Sequence, residues 1–463
     1  MDDIREMKSA LRDVVARLEQ RFPYASISVA REQSTAIQMD RHQATVINPP
    51  SETGTIVTVF DGQGMAEEAV NLTDIDGINA AVNRLMDRVV YSPFLSPPEP
   101  GAPWAGDFYG PCGRDPASVP LEEKINGCRD ARDRLLDGAP QVRNARISYE
   151  ERKLTKVFVN STKSLSQELS FVSASMTVYS SDGTNTQRAH DGNTAAGGYE
   201  LFARFTAPEL LDELVRSAVG LLRAEKVDPG WHEVVTMPSI SGTVAHEAFG
   251  HGVELDMEMK QCAQVRSYLG KQVASPLVNM FDSPSNLDSA GFYFFDDEGE
   301  QARPTQIIRD GILVSGISDL YSARQLQQPR TPHGRRESFR RRIYSRMANT
   351  YIAPRDTPWA ELIRRVHNGV LLRHGGRGME DPLGWGMQID VHGGEEIRNG
   401  QLTGKLYSPV SVTGFVPDLL KSITGISREF GTYGLGRCGK TFTKDWISVG
   451  FGGPYLLFTA RLA

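Results

Sequence analysis

The chain has 463 residues, of which 40% are hydrophobic and 23% are charged, a composition typical of a soluble globular protein with two or three domains. Its formal net charge of −6 gives no electrostatic reason to expect a nucleic acid or an anionic membrane as a partner. The acidic amphipathic start, and four cysteines in a chain with no export signal, predict a cytoplasmic protein with reduced thiols.

The first part of the chain, residues 1–205, is predicted to form a domain of helices and antiparallel strands. Apolar residues at helical intervals predict helices at residues 3–22, 74–90 and 121–136. Strands are predicted at residues 26–30, 44–47 and 55–60, and in alternating segments between residues 142 and 186. The proline-rich stretch 92–118 predicts a surface loop. Helices and strands without strict βαβ alternation indicate the α+β class.

A second, strand-rich domain is predicted at residues 230–463, joined to the first by a helix within residues 206–229. Its predicted strands are residues 233–237, 291–295, 305–308, 311–314, 387–391 and 444–449. Short strands at this spacing, separated by glycine turns, predict a barrel-like or sandwich-like architecture.

Residues 243–256 contain two histidines that bracket a glutamate, in the pattern HExxxH formed by His246, Glu247 and His251. Imidazole nitrogens bind a borderline-soft ion such as Zn²⁺, and a neighbouring carboxylate can take a proton from water. The motif therefore indicates a hydrolytic metal site. A buried helix with two hydrogen-bonded histidines is the alternative that the motif alone leaves open.

The spacing of the two histidines imposes a condition on the backbone. Residues five apart on a straight α-helix point about 140° away from each other, so they cannot both face one ion. We therefore expect the helix to end, kink or widen between Ala248 and His251. Gly250 is where such a distortion costs least.

The segment from His246 to Asp256 resembles the signature of the TldD/PmbA family of metallopeptidases, and specifically its TldD-type, metal-bearing subunit. Four further blocks agree in the same order, namely Asp297-Glu-Gly299, Gly334-Arg-Arg-Glu-Ser338, Arg346-Met-Ala-Asn-Thr-Tyr-Ile352 and Cys438-Gly-Lys440. The resemblance is strong over residues 230–463 and weaker over the first domain.

The resemblance implies a zinc ion with three protein ligands and a general base, which are His246, His251, Cys438 and Glu247. A thiolate is a good zinc ligand, and Cys438 lies between two nearby glycines that allow close backbone approach. The alternative for Cys438 is a small buried hydrophobe. Glu254 and Asp256 compete as third ligand, although the family pattern implies that they orient a histidine or shape the site.

A positive cluster occupies residues 335–342 and Arg346 in this acidic protein. The resemblance implies that part of it lines the substrate channel, where Arg335, Arg336 or Arg346 would hold a carboxylate or an oxyanion. A solvated surface is the alternative. The sequence departs from the family after Lys440, where Thr441 and Phe442 replace the usual glycine and glutamine, and this departure suggests a specialised substrate.

The sequence thus predicts a zinc peptidase that acts on unfolded or short peptides, such as leader peptides, modified peptides or peptide-like natural products. The family resemblance implies an obligate dimer with a TldE/PmbA-like subunit or with itself, with the zinc near the interface and folded proteins excluded. An extended peptide is expected to add as a strand to an exposed sheet edge. A zinc amidase for small non-peptide amides and a non-catalytic peptide-binding subunit are the alternatives.

Overall fold

The computed structural model describes residues 3–71, 74–286, 288–440 and 445–463. In these residues, each half of the sequence builds its own large sheet. The elements of the first half are α1 (Lys8–Glu19), β1 (Ala25–Met39), β2 (Ala44–Ile47), β3 (Glu52–Phe60), β4 (Met65–Val70), α2 (Ile75–Arg88), β5 (Trp104–Tyr109), α3 (Leu121–Asp137), β6 (Val142–Asn160), β7 (Lys163–Ser181), β8 (Thr186–Ala196), α4 (Glu200–Phe205) and α5 (Pro208–Gly220).

The elements of the second half begin with a strand and the helix that carries the HExxxH motif. They are β9 (Gly230–Thr236), α6 (Pro238–Phe249), α7 (Leu255–Met259), α8 (Val265–Tyr268), β10 (Met280–Asp282), β11 (Thr305–Arg309), β12 (Ile312–Leu313), α9 (Leu320–Gln325), β13 (Gly334–Arg335), β14 (Tyr344–Ser345), β15 (Asn349–Ile352), α10 (Trp359–Arg365), β16 (Asn368–Asp381), β17 (Gly386–Arg398), β18 (Gln401–Tyr407), β19 (Val410–Phe415), α11 (Val416–Lys421), β20 (Gly425–Tyr433), β21 (Arg437–Lys440), β22 (Asp445–Ser448) and β23 (Gly450–Leu462).

The first sheet has the strand order β4-β3-β1-β6-β7-β5, with β2 added to β1 and β8 to β7. Its neighbours are antiparallel except for β5 and β7, which run parallel. Helices α1 and α2 bury their apolar residues against β1, β3 and β6, and helices α3 and α5 bury theirs against β6, β7 and β8. The predicted combination of helices with largely antiparallel strands is confirmed for this half of the chain.

The second sheet closes on itself. Strands β9, β16, β17, β19 and β23 form a ring, because β23 pairs antiparallel with both β19 and β9. The architecture is therefore α+β with a closed barrel, which decides between the barrel and the sandwich that the sequence predicted. Helix α6 packs against β16 and β23, and this contact places the HExxxH motif beside the barrel.

Two sequence predictions about local structure are wrong. Residues 291–295 are not a strand, because the side chain of Gln167 takes the place of a pairing strand: its Nε2 donates to Phe295 O at 3.0 Å and its Oε1 accepts from Phe294 N at 2.9 Å. The stretch 92–118 is not all loop, since β5 lies within it and pairs with β7. The alternation that marks β5 was hidden by the surrounding prolines.

The predicted connecting helix corresponds to α5, whose Leu211, Leu214 and Val215 are buried against the first sheet. The division of the chain at residues 205 and 230 stays a prediction. In the predicted strand 444–449, residues 445–448 form β22, whereas residue 444 and the departure at Thr441 and Phe442 lie outside the described residues. None of the described helices is both long enough and apolar enough to cross a membrane.

Candidate metal centre

Helix α6 positions the first half of the motif. It begins at Pro238, which needs no hydrogen-bond acceptor at the first helical position, and it is buried on nearly every side. It ends at Phe249, and residues His251–Val253 form a separate 3₁₀ turn. The expected helix end between Ala248 and His251 is therefore confirmed.

Gly250 makes this helix end possible. A Cβ atom at this position would lie 2.2 Å from both the carbonyl oxygen of His246 and the sulfur of Met347, so only glycine fits. The change of backbone direction turns His251 back toward His246. Their ring centroids lie 5.0 Å apart, with the ring planes at 83°.

Cys438 joins the two histidines from a distant part of the chain. It lies on β21, and its Sγ is 3.0 Å from Nε2 of His251. One donor atom from each of His246, His251 and Cys438 lies within 4.8 Å of the other two. Neighbouring nitrogen and sulfur ligands of a tetrahedral zinc ion lie about 3.5 Å apart, so the donors are grouped as a zinc site requires.

A further observation supports a metal at this position. Nδ1 of His246 is buried and has no hydrogen-bond partner in the described part of the chain, although buried imidazole nitrogens are normally paired. Two imidazoles and a thiol suit a borderline-soft ion, with zinc the common choice. These residues therefore fit a metal ion.

The electrostatics of the three residues favour the ligand form of the thiol. Burial opposes ionisation of Cys438, but the nearby His251 and His246 outweigh burial and hold the pKa of the thiol well below its usual value. Burial likewise opposes protonation of His251, yet Cys438 and Glu254 raise its pKa well above the usual range. Charge is thus shared between thiolate and imidazolium, and a metal ion would take the place of the protons.

Behind the three candidate ligands lies a buried charged network, formed by Glu254, Asp256, Arg346 and Lys440. Glu254 accepts from Nδ1 of His251 at 3.2 Å and is paired with Nε of Arg346, also at 3.2 Å. Arg346 Nη2 donates to the carbonyl oxygen of Cys438 at 2.8 Å and to its Sγ at 3.4 Å. Glu254 therefore lies behind His251 while Cys438 faces it, as expected for a carboxylate that orients a ligand.

Lys440 connects β21, the strand that carries Cys438, to the same network. Its Nζ lies 2.6 Å from Oδ1 of Asp256 and 3.3 Å from Oε2 of Glu254. Burial raises the pKa of Glu254, but Lys440 and His251 outweigh it and lower the pKa to about 2. Through Lys440 the network thus connects β21 to the carboxylate that contacts His251.

The candidate ligands face a cleft of about 810 Å³, and Glu247 lies on its wall. In the described residues, Glu247 has no hydrogen-bond or ion-pair partner. Its carboxylate packs on Gly378 of β16, where a Cβ atom would lie 2.4 Å from the Cγ of Glu247. An unpaired carboxylate beside the three donors is placed to act on a substrate.

Three cleft residues were missed by sequence reasoning. Arg377 and Glu380 of β16 and Arg437 of β21 line the same cleft. They do not belong to any spacing pattern that signals chemistry. The glycines at residues 375, 376 and 378 were the available signal, because glycines within a strand often mark close approach of another group.

The arginine cluster, residues 335–342 and Arg346, lies outside this cleft. Arg335 is half-buried and donates through Nη2 to the carbonyl oxygen of Ser448 at 2.9 Å. Arg336 pairs with Glu67 of the first sheet at 2.8 Å, and it lines a separate cavity of about 690 Å³ between the two halves of the chain. Only Arg346 contacts the metal centre, and it does so from behind Cys438.

The sequence matches the PmbA/TldA metallopeptidase central domain over residues 114–222 and the C-terminal domain of the same family over residues 229–461. A metalloprotease of Methanothermobacter thermautotrophicus is 32% identical over 360 residues, which cover 77% of each chain. A zinc metalloprotease TldD homolog of Saccharolobus solfataricus is 26% identical, covering 72% of this chain and 74% of that one.

The crystal structure of TldE from Thermococcus kodakarensis has a similar fold, with a TM-score of 0.73 and 15% identity, covering 98% of this chain and 100% of that one. The two family models and the similar relatives assign the chain to the metallopeptidases at the level of the family. The chain belongs to the PmbA/TldD family of metallopeptidases.

Proposed function

We propose that this protein is the TldD-type, metal-bearing subunit of a zinc peptidase that cleaves unfolded or short peptides in the cytoplasm. The observation that carries the proposal is the grouping of His246, His251 and Cys438 beside the unpaired carboxylate of Glu247, in one cleft. The zinc assignment is supported by the donor types and by the name of the relative from Saccharolobus solfataricus.

The three ligands would hold the ion, and Glu247 would move the protons. Zinc bound there would supply a Lewis acid, able to polarise a peptide carbonyl and to make a water molecule more acidic. Glu247 takes a proton from the attacking water and then passes it to the leaving amine. Glu254 keeps the imidazole of His251 oriented through its 3.2 Å hydrogen bond.

The edge of β16 offers a place for the peptide backbone. β16 pairs with β17 along residues 368–381, but with β9 only along residues 369–372. In the described part of the chain, no strand pairs with the other side of residues 375–381, and residues 376–380 line the cleft. An extended peptide adds to this edge by main-chain hydrogen bonds, next to Glu247.

Access is restricted by a second subunit in this proposal, either a TldE/PmbA-like relative or a second copy of this chain. The support is family membership and the fold shared with TldE from Thermococcus kodakarensis. A partner over the cleft would exclude folded proteins while admitting extended peptides. We expect a given sequence to be cleaved when it is a free peptide and to resist cleavage when it lies inside a stable fold.

The function is tested with the zinc-loaded protein, alone and with a TldE/PmbA-like partner, against a peptide library and a set of small non-peptide amides. Peptide cleavage that is lost in Glu247→Gln and after chelation supports the proposal. Cleavage of the small amides only would identify an amidase instead. Peptide binding without any cleavage by the zinc-loaded protein would indicate a non-catalytic binding subunit.

A further inference from the structure

Glu380 lies beside the proposed general base on the same face of β16. Side chains of alternate residues in a strand share a face, so Gly378 and Glu380, which follow the register shift at Gly376, point the same way. The carboxylate of Glu247 occupies the space that a side chain on Gly378 would fill. Glu380 is therefore about 7 Å further along the strand, which is the length of two residues.

Glu380 lacks an ion-pair partner within the part of the chain that the structure describes. Like Glu247, it has neither a hydrogen-bond nor an ion-pair partner anywhere in the described residues, although it is half-buried in the cleft wall. Charged groups removed from water are costly unless they are paired. Burial, opposed by His251 and reinforced by Glu247, raises the pKa of Glu380 to about 7. A positive charge supplied by a ligand would restore the pairing.

A peptide that adds to the edge of β16 brings its own side chains onto this face. Directly opposed residues of paired strands have Cβ atoms about 5 Å apart. The peptide residue opposite Gly378 lies next to Glu247, where the bond is cut. The residue opposite Glu380 is two positions away, close to the unpaired carboxylate.

We propose that Glu380 is a specificity-determining residue that selects peptides carrying a positively charged group two residues from the scissile bond. The group is a lysine or arginine side chain, or the free α-ammonium of a short peptide, since both present the same charge. This inference rests on the proposed peptidase function. It adds a side-chain preference to a mode of binding that otherwise depends on the backbone.

The test uses peptides of one sequence that are acetylated and amidated at their ends, with lysine, norleucine or glutamate placed at each position in turn. Cleavage sites and kcat/KM values are measured with the zinc-loaded protein and its partner. At one position two residues from the cleaved bond, kcat/KM for the lysine peptide is expected to be about tenfold higher than for the norleucine peptide. This is the size of effect expected for a hydrogen bond to a charged group. Peptides with a free amino terminus are measured in parallel. A preference for them over the acetylated peptides would identify the α-ammonium as the positive group that Glu380 selects.

Variants of β16 assign the preference to Glu380. In Glu380→Gln the ratio of lysine to norleucine should fall to about one, and in Glu380→Lys the preference should change to glutamate. Arg377→Gln is the matched control, because it removes a charge from the same strand, three residues before Glu380 and on the opposite face, and the ratio should be retained. The lysine-to-norleucine ratio is taken within each variant, so a general loss of activity or stability cancels.

The outcomes separate this inference from the function on which it rests. If peptides are cut but no register prefers a positive charge, or if the ratio is unchanged in Glu380→Gln, Glu380 is not a specificity determinant. If no peptide is cut, the affinities of the same peptides for the zinc-loaded Glu247→Gln variant are compared. Equal affinities for the lysine and norleucine peptides would overturn the inference there as well.

Discussion

The charged residues on the two sides of the metal centre differ in whether they have ion-pair partners. Behind the ligands, Glu254 and Arg346 both have an exposed fraction of 0% and are paired with each other. In front of the ligands, Glu247, Glu380 and Arg437 line the cleft, and none has an ion-pair partner in the part of the chain that the structure describes. Charges that hold a site in shape are satisfied within the chain, whereas charges that meet a substrate are left free.

Loss of a charge is expected to have different consequences on the two sides of the metal centre. Removing one member of a buried pair leaves its partner unpaired in a low dielectric, so the cost falls on folding. Removing an unpaired group that faces a cleft leaves the fold intact, so the cost falls on catalysis or on substrate choice. The following predictions test each side.

The largest effect is expected for Glu247→Gln. This variant removes the proton acceptor in the cleft and keeps the size of the side chain, so kcat should fall by at least about a hundredfold. Elemental analysis should find the same zinc content as in the wild type, because the three ligands are untouched. Turnover within a few-fold of the wild type would show that Glu247 is not the base.

The next effect is expected on the other side of the ligands, for Arg346→Gln. The change leaves Oε1 of Glu254 without the ion-pair partner that Nε of Arg346 supplies at 3.2 Å, so the free energy of unfolding should fall by about 3 kcal/mol. Denaturant unfolding of the metal-free protein measures this loss, and Arg346→Lys should recover part of it.

Arg437→Gln is the matched control from the cleft side. Its guanidinium is exposed and unpaired among the described residues, so the unfolding free energy should change by less than about 0.5 kcal/mol. Equal losses of unfolding free energy in Arg346→Gln and Arg437→Gln would contradict the assignment of a structural role to the charges behind the ligands and not to those in the cleft.

A smaller effect on stability is expected from the metal itself. Zinc at a hundred times its dissociation constant should stabilise the folded protein by about 2.7 kcal/mol, and a chelator should remove this gain. In Cys438→Ser the gain at the same zinc concentration should be largely lost, because a hydroxyl that stays protonated replaces a thiolate. A full gain in that variant would show that Cys438 is not a ligand.

The parts of this site that could be predicted from the sequence are local ones. His246, Glu247 and His251 lie within six consecutive residues, and the angle between helical residues was enough to predict that α6 ends before His251. The α+β class followed from the order of helices and strands. These inferences depend on geometry within a few turns of the chain.

The rest depended on contacts between distant residues. Cys438 reaches His251 across a separation of 187 residues, and its assignment came from family resemblance rather than from spacing. Glu380 was missed because its closeness to Glu247 depends on how β16 packs against α6. Residues 291–295 were mistaken for a strand because the sequence does not reveal that the side chain of Gln167 satisfies their backbone.

X-ray absorption at the zinc edge of the zinc-loaded protein is the decisive measurement for the metal centre, since it reports the atoms bound to the ion. We expect one zinc ion per chain, with two imidazole nitrogens at about 2.0 Å and one sulfur at about 2.3 Å. The sulfur signal should disappear in Cys438→Ser. A zinc ion bound only by nitrogen and oxygen atoms in the wild-type protein would contradict the proposed metal centre.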